Sequence, residues 1–500
     1  MRYGLTTLAA LVLSFPVLAA DAVNFAVVQP DTFTTPHALS NAWADYDNDG
    51  DLDLVVAYGH GVLKLFQNTN NVFTDVAVKA GLGPVADEAA LAPIEFRSAA
   101  WGDYDGDGNL DLYVGTRFAG TGKPPAFNRS FLYHSNGNGT FTEVAQKMGV
   151  DAPGASVRQA SFIDLDGDGD LDLFMADRNG ANRMFRNDGG AFVDIAENVG
   201  LADKRFTVGV CWFDMDKDGD LDAFVANQDG GTDAFYKNDK GMFTDVAPQL
   251  GMNHPGRAKD EGGVGCSVGD YDNDGNLDIF VATYGDNLLY RSNGNGTFTD
   301  VAQKMGITGH GHNVGASWGD FDNDGLLDIF VGAYHDTEAT DILYRNTGTG
   351  FVNVITPVMN GSDHGVQWAD FDQDGDLDLS LTNDFSKAVA RHTLLRNNLS
   401  DAARKKSLAV MVRDAKGKFA PGAEVRLFDA AGKILGSRLV HTGDGYNSQS
   451  VTPVYFGLAA DGPVTVEVTY ITAKGRVTQK QAGVKPAEWA GKTLTVTQKP

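Results

Sequence analysis

Seven times along this 500-residue chain the pattern D-x-D-x-D-G-x-L-D recurs, beginning at Asp45, Asp103, Asp164, Asp214, Asp270, Asp320 and Asp370. Successive copies start 58, 61, 50, 56, 50 and 50 residues apart. That period belongs to a repeat architecture, in which each unit buries its core against its neighbours. Four carboxylates within nine residues repel one another, so a fold that keeps seven such loops has to bring countercharge to them. A hard cation such as Ca2+ does so, taking roughly six to eight oxygens from alternate positions of a loop that turns at a glycine. The candidate ligands are Asp45, Asp47, Asp49 and Asp53 in the first copy, then Asp103, Asp105, Asp107 and Asp111 in the second. They continue as Asp164, Asp166, Asp168 and Asp172; Asp214, Asp216, Asp218 and Asp222; Asp270, Asp272, Asp274 and Asp278. The last two sets are Asp320, Asp322, Asp324 and Asp328, and Asp370, Asp372, Asp374 and Asp378. No His or Cys lies within a loop, and an all-oxygen set selects Ca2+ over Zn2+ or Cu2+. Mg2+ is disfavoured because it keeps several of its waters. Up to seven structural Ca2+ ions are expected.

The charge is distributed unevenly. The formal net charge of −26 excludes nucleic acid and anionic membranes as partners. Residues 401–500 hold 15 Lys and Arg against 8 Asp and Glu, whereas residues 1–400 carry −33. Setting aside the 28 loop carboxylates leaves −5 on that larger part, an ordinary value for a soluble body.

Arg2, the apolar run Leu5 to Leu18 and the small residues Ala19 and Ala20 predict a cleaved signal peptide over 1–20. The run is too short to span a bilayer and no later stretch reaches that length. A secreted or periplasmic mature chain is expected. Cys211 and Cys266 stand three and four residues before their loops, offsets that face opposite ways on paired strands. Two buried free thiols are therefore expected in preference to a bridge.

Each repeat reads as four short strands. In the second, Ser98 to Asp103 enters the loop and Leu110 to Val114 leaves it with period-two alternation; Phe131 to His134, an Asn/Gly turn and Phe141 to Ala145 follow. Phe73, Phe141, Phe192, Phe243, Phe298 and Phe351 start six fourth strands, and Phe25 to Val28 supplies the seventh ahead of the first loop. The N-terminal strand should therefore complete the last unit and cover its open edge. The aromatic residues two positions before most loops, among them Trp43, Trp101, Phe162 and Trp212, read as core between units. The predicted fold is all-β: a seven-bladed β-propeller over 21–400 and a β-sandwich over 401–500, where runs such as Leu408 to Arg413 and Val464 to Tyr470 alternate.

The acidic loops, with Leu343-Tyr-Arg-Asn346 and Asn293 to Ala302, resemble the FG-GAP and VCBS repeats, whose best-known members are the integrin α-subunit heads. That resemblance implies structural Ca2+ between the first two strands of each blade. Gly422 to Leu427, Thr442 to Ser450 and Val454 to Leu458 resemble the ASPIC/UnbV domain, although Val468 to Gly475 stands where that family has a W-P-S-G stretch. The combined order resembles the cartilage acidic protein family and its bacterial relatives.

Loops between the first two strands would put every metal on one face. The variable connections of the other face are then the place for recognition. His37, Arg97, Arg158, His310, His312 and His364 all lie four to eight residues before their unit's aromatic site and are the candidate ligand-binding residues at the channel mouth. The expected role is a binding, adhesion or interaction scaffold for a protein or glycan. The alternative is a polysaccharide lyase, which needs a His or Tyr base and a cation to neutralise a uronate. No compact catalytic motif accompanies these residues.

Overall fold

The computed structural model describes residues 23–83, 91–121, 124–125, 128–308, 310–334, 341–384 and 391–499; the expected leader over 1–20 lies outside the described residues. The first repeat unit consists of strands Ala38–Ala44, Asp53–Tyr58, Leu63–Thr69 and Val72–Asp75, hydrogen-bonded antiparallel in chain order. The acidic loop is the turn between its first two strands, and it sets their register with Ala44 opposite Asp53 and Trp43 opposite Leu54. Five further units beginning at Ile94, Val157, Thr207, Gly262 and His310 repeat the arrangement. The last contains Gly365–Ala369, Asp378–Thr382 and His392–Asn397 and takes its fourth strand from Phe25–Val27, with Phe25 opposite Asn397. Among the described residues this makes seven four-stranded units. Their first strands stand side by side in chain order, and the last returns to the first. The sheets therefore close into the ring of a β-propeller with all acidic loops on one face.

Side chains between adjacent sheets make the core. Trp43, Trp101, Phe162 and Trp212 are fully buried, and Trp43 stacks on Phe371 of the seventh unit with ring centroids 6.1 Å apart. Cys211 and Cys266 lie in this layer, between the fourth and fifth units, and form a disulfide with Cα atoms 6.1 Å apart. The expectation of free thiols is corrected by how the units pack. The two strands belong to neighbouring sheets stacked face to face, so the front of one meets the back of the next. Offsets differing by one residue are what such packing brings together.

Residues 407–497 form two further sheets. Ser407–Arg413 lies between Val454–Gly457 and Thr493–Thr497, while Ile434–Leu439, Glu424–Phe428, Val464–Thr472 and Gly475–Val484 form the second. Leu408, Val410, Val425, Val466, Tyr470 and Leu494 fill the space between them. This sandwich sits on the acidic-loop face, where Arg404, Lys418, Ala473 and Gly475 come close to loop glycines.

From the sandwich, residues 442–451 run down the channel and bond to every unit. Thr442 Oγ1 donates to Trp212 O (3.0 Å), Asp444 accepts from Ser267 and Ser317, and Gly445 O accepts from Val366 N (2.7 Å). Ser448–Gln449 pairs in parallel with Ala99–Ala100, Gln449 spans both backbone atoms of Phe162, and Val451 N donates to Trp43 O (2.8 Å). The inner edge of each sheet would otherwise leave backbone groups unpaired away from bulk water, a costly state. The inserted segment pairs backbone groups of that edge in six units and meets the fifth through the Ser267 side chain.

The bridge closes a 55-residue span, for which chain entropy gives a contribution of about 4 kcal/mol. Cys211→Ser/Cys266→Ser should lower unfolding free energy by about 3 kcal/mol in denaturant melts, and unfolded wild-type protein should show no titratable thiol before reduction.

Candidate functional site

The seven acidic loops have one hydrogen-bond plan. The sixth-position glycine, with φ between +85° and +102°, turns the chain. Its N–H donates to the first aspartate at 2.9–3.1 Å in every copy, from Gly50 to Asp45 through to Gly375 to Asp370. The second-position N–H donates to the ninth-position aspartate, as Tyr46 does to Asp53 (3.2 Å) and Leu165 to Asp172 (2.9 Å). The other oxygen of that carboxylate accepts from the third strand, as Asp53 does from Asn68 N and Asp111 from Ser135 N, both at 2.8 Å. Local backbone thus points the carboxylates at one another. Asp45, Asp47 and Asp53 each bring an oxygen within 4.8 Å of the others, as do Asp103, Asp105 and Asp107, Asp164, Asp166 and Asp172, and Asp214, Asp216 and Asp218.

That arrangement is electrostatically costly on its own. Burial pushes Asp53 up to about 8, Asp111 to about 9, and Asp172 and Asp222 to about 8. Burial also lifts Asp164 and Asp270 to about 7, and Asp278, Asp320, Asp328, Asp370 and Asp378 well above the carboxylate range. Asp47 Oδ1, Asp164 Oδ1 and Asp214 Oδ1 are buried without a hydrogen bond. Buried oxygens without donors, beside carboxylates within ligand distance of one another, are what a hard cation satisfies. The acidic clusters have the donor set and spacing to hold metal ions.

Two sets of protein donors, most of them cations, also face the loops. One comes from the third strand of each unit, at the residue before the Asn or Ser that donates to the ninth-position aspartate: Gln67, His134, Arg186, Lys237, Arg291, Arg345 and Arg396. Gln67 donates to Asp47 (2.6 Å), Lys237 pairs with Asp216, Arg291 with Asp272 (2.6 Å) and Arg345 with Asp322 (2.7 Å). The other comes from the sandwich. Arg476 bridges Asp214 (2.5 Å) and Glu424 (2.9 Å), Arg404 pairs with Asp374 and Asp376, and Lys416 and Lys418 reach Asp170. Arg438 is buried with its charge facing Asp320, Asp270 and Asp328. The third-strand position carries a sequence signal that a search restricted to the loops passes over: a polar residue between an apolar or aromatic residue and Asn or Ser. The sandwich cations carry no comparable local signal.

On the opposite face the candidate ligand residues divide. Arg97, Arg158 and His364 come together around Tyr446, at the tip of the inserted segment. Arg97 Nη1 and Arg158 Nη1 lie 3.4 and 3.3 Å from the Tyr446 hydroxyl, and all four side chains are buried. Burial raises the Tyr446 phenol, but Arg158 and Arg97 outweigh it and bring it below the usual range. Burial, then Arg97 and Arg158, hold His364 neutral at about 3. Glu95 works against burial in the same way, held at about 2 by Arg97, Arg117 and Arg158. His312 stands further out, stacked between Tyr284 (4.4 Å) and Tyr334 (6.1 Å). His37 is apart from these, with Nδ1 2.8 Å from Asp384 and its ring edge against His60. The His310 side chain lies outside the described residues; its backbone pairs with Asp286 where the fifth and sixth units join beyond the ring.

The FG-GAP-like repeat family matches residues 45–114, 119–175, 164–225, 214–281 and 270–331, and the ASPIC and UnbV family matches 413–499. Cartilage acidic protein 1 of Xenopus tropicalis is 28% identical over 301 residues, covering 57% of this chain and 38% of that protein. The Mus musculus and Homo sapiens proteins of that name are 38% and 36% identical over 56 residues, 11% of this chain and 9% and 8% of theirs. The chain thus spans well under half the length of the curated relatives it matches. Among solved structures, BBS1N in complex with ARL6DN aligns with a TM-score of 0.45 at 12% identity, over 75% of this chain and 97% of that one. An Agrocybe aegerita lectin that recognises non-reducing terminal N-acetylglucosamine aligns at 0.40 and 18%, over 74% and 86%. A Bacillus licheniformis rhamnogalacturonan lyase aligns at 0.40 and 13%, over 75% of each chain. These likenesses are too remote to bear on function.

Arg476→Ala removes the partner of a buried carboxylate and should cost about 3 kcal/mol in chelator. With excess divalent cation the loss should shrink, because the ion supplies Asp214 with the missing charge; chemical denaturation under both conditions measures the difference.

Proposed function

The chain belongs to the FG-GAP-like repeat family, and on that premise we propose that it is an exported, calcium-loaded binding scaffold whose ligand, a protein or glycan, is taken on the face opposite the acidic loops. Residues 21–400 form its ring and 401–500 its docked ASPIC/UnbV-like domain. The observation that carries the calcium half is the repeated loop plan, in which seven sets of carboxylates are oriented by their own backbone and Asp47, Asp164 and Asp214 each keep a buried oxygen with no donor. The first, third, fifth and ninth aspartates of each loop would hold the ion, in the first loop Asp45, Asp47, Asp49 and Asp53. The ion's contribution is charge neutralisation that locks the hairpin bend. No helix among the described residues is long and apolar enough to cross a membrane.

The docked domain supports the choice of face, because among the described residues it occupies the loop side and does not cover the other. There the accessible groups are His312 with Tyr284 and Tyr334, Arg117 beside Glu95, and His37. Flat rings suit sugar rings, and the separate Arg117 guanidinium suits acidic groups. Arg97, Arg158 and His364 act behind this surface by anchoring Tyr446. Of the side chains that would serve a lyase, His312 is exposed, whereas Arg97, Arg158 and His364 lie buried against the inserted segment.

Two measurements test the halves separately. Chelation should lower the melting temperature reversibly, each lost site removing about 2.7 kcal/mol if calcium had stood at about a hundred times its Kd. An unchanged melt with no bound divalent ion in elemental analysis overturns the calcium half. On arrays of acidic glycans and extracellular proteins, Tyr284→Ala/His312→Ala should bind at least about tenfold more weakly than wild type while melting normally. Equal binding overturns the choice of face.

A further inference from the structure

Of the seven third-strand side chains that face the loops, His134 alone is an imidazole. Four of the others are arginine and one is lysine, permanent cations that repel a metal. A neutral imidazole instead offers it a lone pair. His134 Nδ1 lies 3.2 Å from Asp111 Oδ1 and 3.3 Å from Asp105 Oδ2, and the three atoms fall within 4.8 Å of one another. Asp111 is fully buried. Nδ1 is itself closed off from solvent and makes no hydrogen bond of acceptable geometry with either carboxylate. The ring is held edge-on against Tyr104 with centroids 6.1 Å apart. On the far side of this loop a sandwich cation faces the first aspartate, as others do at Asp214, Asp270 and Asp320. The Lys418 ammonium reaches Gly106 and its charge faces Asp103, which weakens the all-oxygen set.

We propose, building on the metal-loop reading above but with a different ion at one of its seven loops, that the second loop holds a first-row transition divalent cation of the Zn2+ class, in place of Ca2+, through Asp105, Asp111 and His134. One nitrogen and two carboxylate oxygens make a borderline ligand set that favours such ions over Ca2+. Three protein ligands also leave a coordination position open to water or to an incoming donor group. The chain would then carry two kinds of metal site that differ by a single side chain on a shared plan.

The test uses the full chain, stripped by chelator and returned to excess Ca2+, then titrated with Zn2+ by calorimetry and with Co2+ by visible absorption. Wild type should bind one more equivalent of Zn2+ than His134→Arg and show a Co2+ d–d band that the variant lacks. Losing one of three ligands should weaken Zn2+ binding by about 100-fold or more. Arginine occupies this position in four other units, so the variant should melt in Ca2+ as wild type does. His134→Gln, which copies the first unit, serves if it does not. Absence of tight Zn2+ binding by wild type in excess Ca2+, or equal affinity in the variants, overturns the proposal. Calcium stoichiometry is read separately by equilibrium dialysis, so a failure of the calcium loops and a failure of the His134 site give different results.

Discussion

Crowded negative charge on one face of the ring is the constraint to which the rest of the molecule answers. Each loop aims backbone N–H groups at its own carboxylates, yet burial still drives the ninth-position aspartates far above the range in which a carboxylate ionises readily. The third strands add cations at the rim. The sandwich adds another set through Arg476, Arg404, Arg438, Lys416 and Lys418. Hence the uneven charge of the chain, basic in its last hundred residues and acidic before them. One domain is a counterion of the other, and metal ions would complete the neutralisation.

The second constraint is geometric. A closed ring of sheets removes the outer edges from their neighbours but leaves an inner edge facing the channel in every unit. Side chains alone satisfy it poorly, because inner strands converge and glycines such as Gly209, Gly265 and Gly315 pack against neighbouring backbone. A segment lent by the sandwich supplies donors and acceptors in a form the narrow channel accepts. At Gly445 a Cβ would run into the Val366 carbonyl oxygen, so this position needs glycine for space as well as for its φ of +63°. Tyr446 then closes the far end between two arginines.

What could be read from sequence follows from how local its cause is. The loops were legible because ligands, turn glycine and first paired residues lie within nine positions. The closure by Phe25–Val27 was legible because six fourth strands had a recurring start and the last unit lacked one. The disulfide was not legible, because its cysteines lie on strands of two stacked sheets and not on paired strands of one. The burial of Arg97, Arg158 and His364 depended on Tyr446, nearly three hundred residues downstream of Arg158, and no periodicity links the two. His134 lies in an ordinary strand pattern, and only its superposition on six equivalent positions makes the imidazole unusual.

The strand Phe25–Val27 belongs to the first stretch of the ring to be synthesised, yet its partner His392–Asn397 is among the last. A nascent chain must therefore hold an apolar segment without its sheet until nearly all seven units exist, and the channel segment arrives later still. Completion is a late, long-range event of the kind that is slow and prone to misassociation. Chaperone demand during biogenesis should consequently fall on the strand Phe25–Val27 and the first unit that follows it.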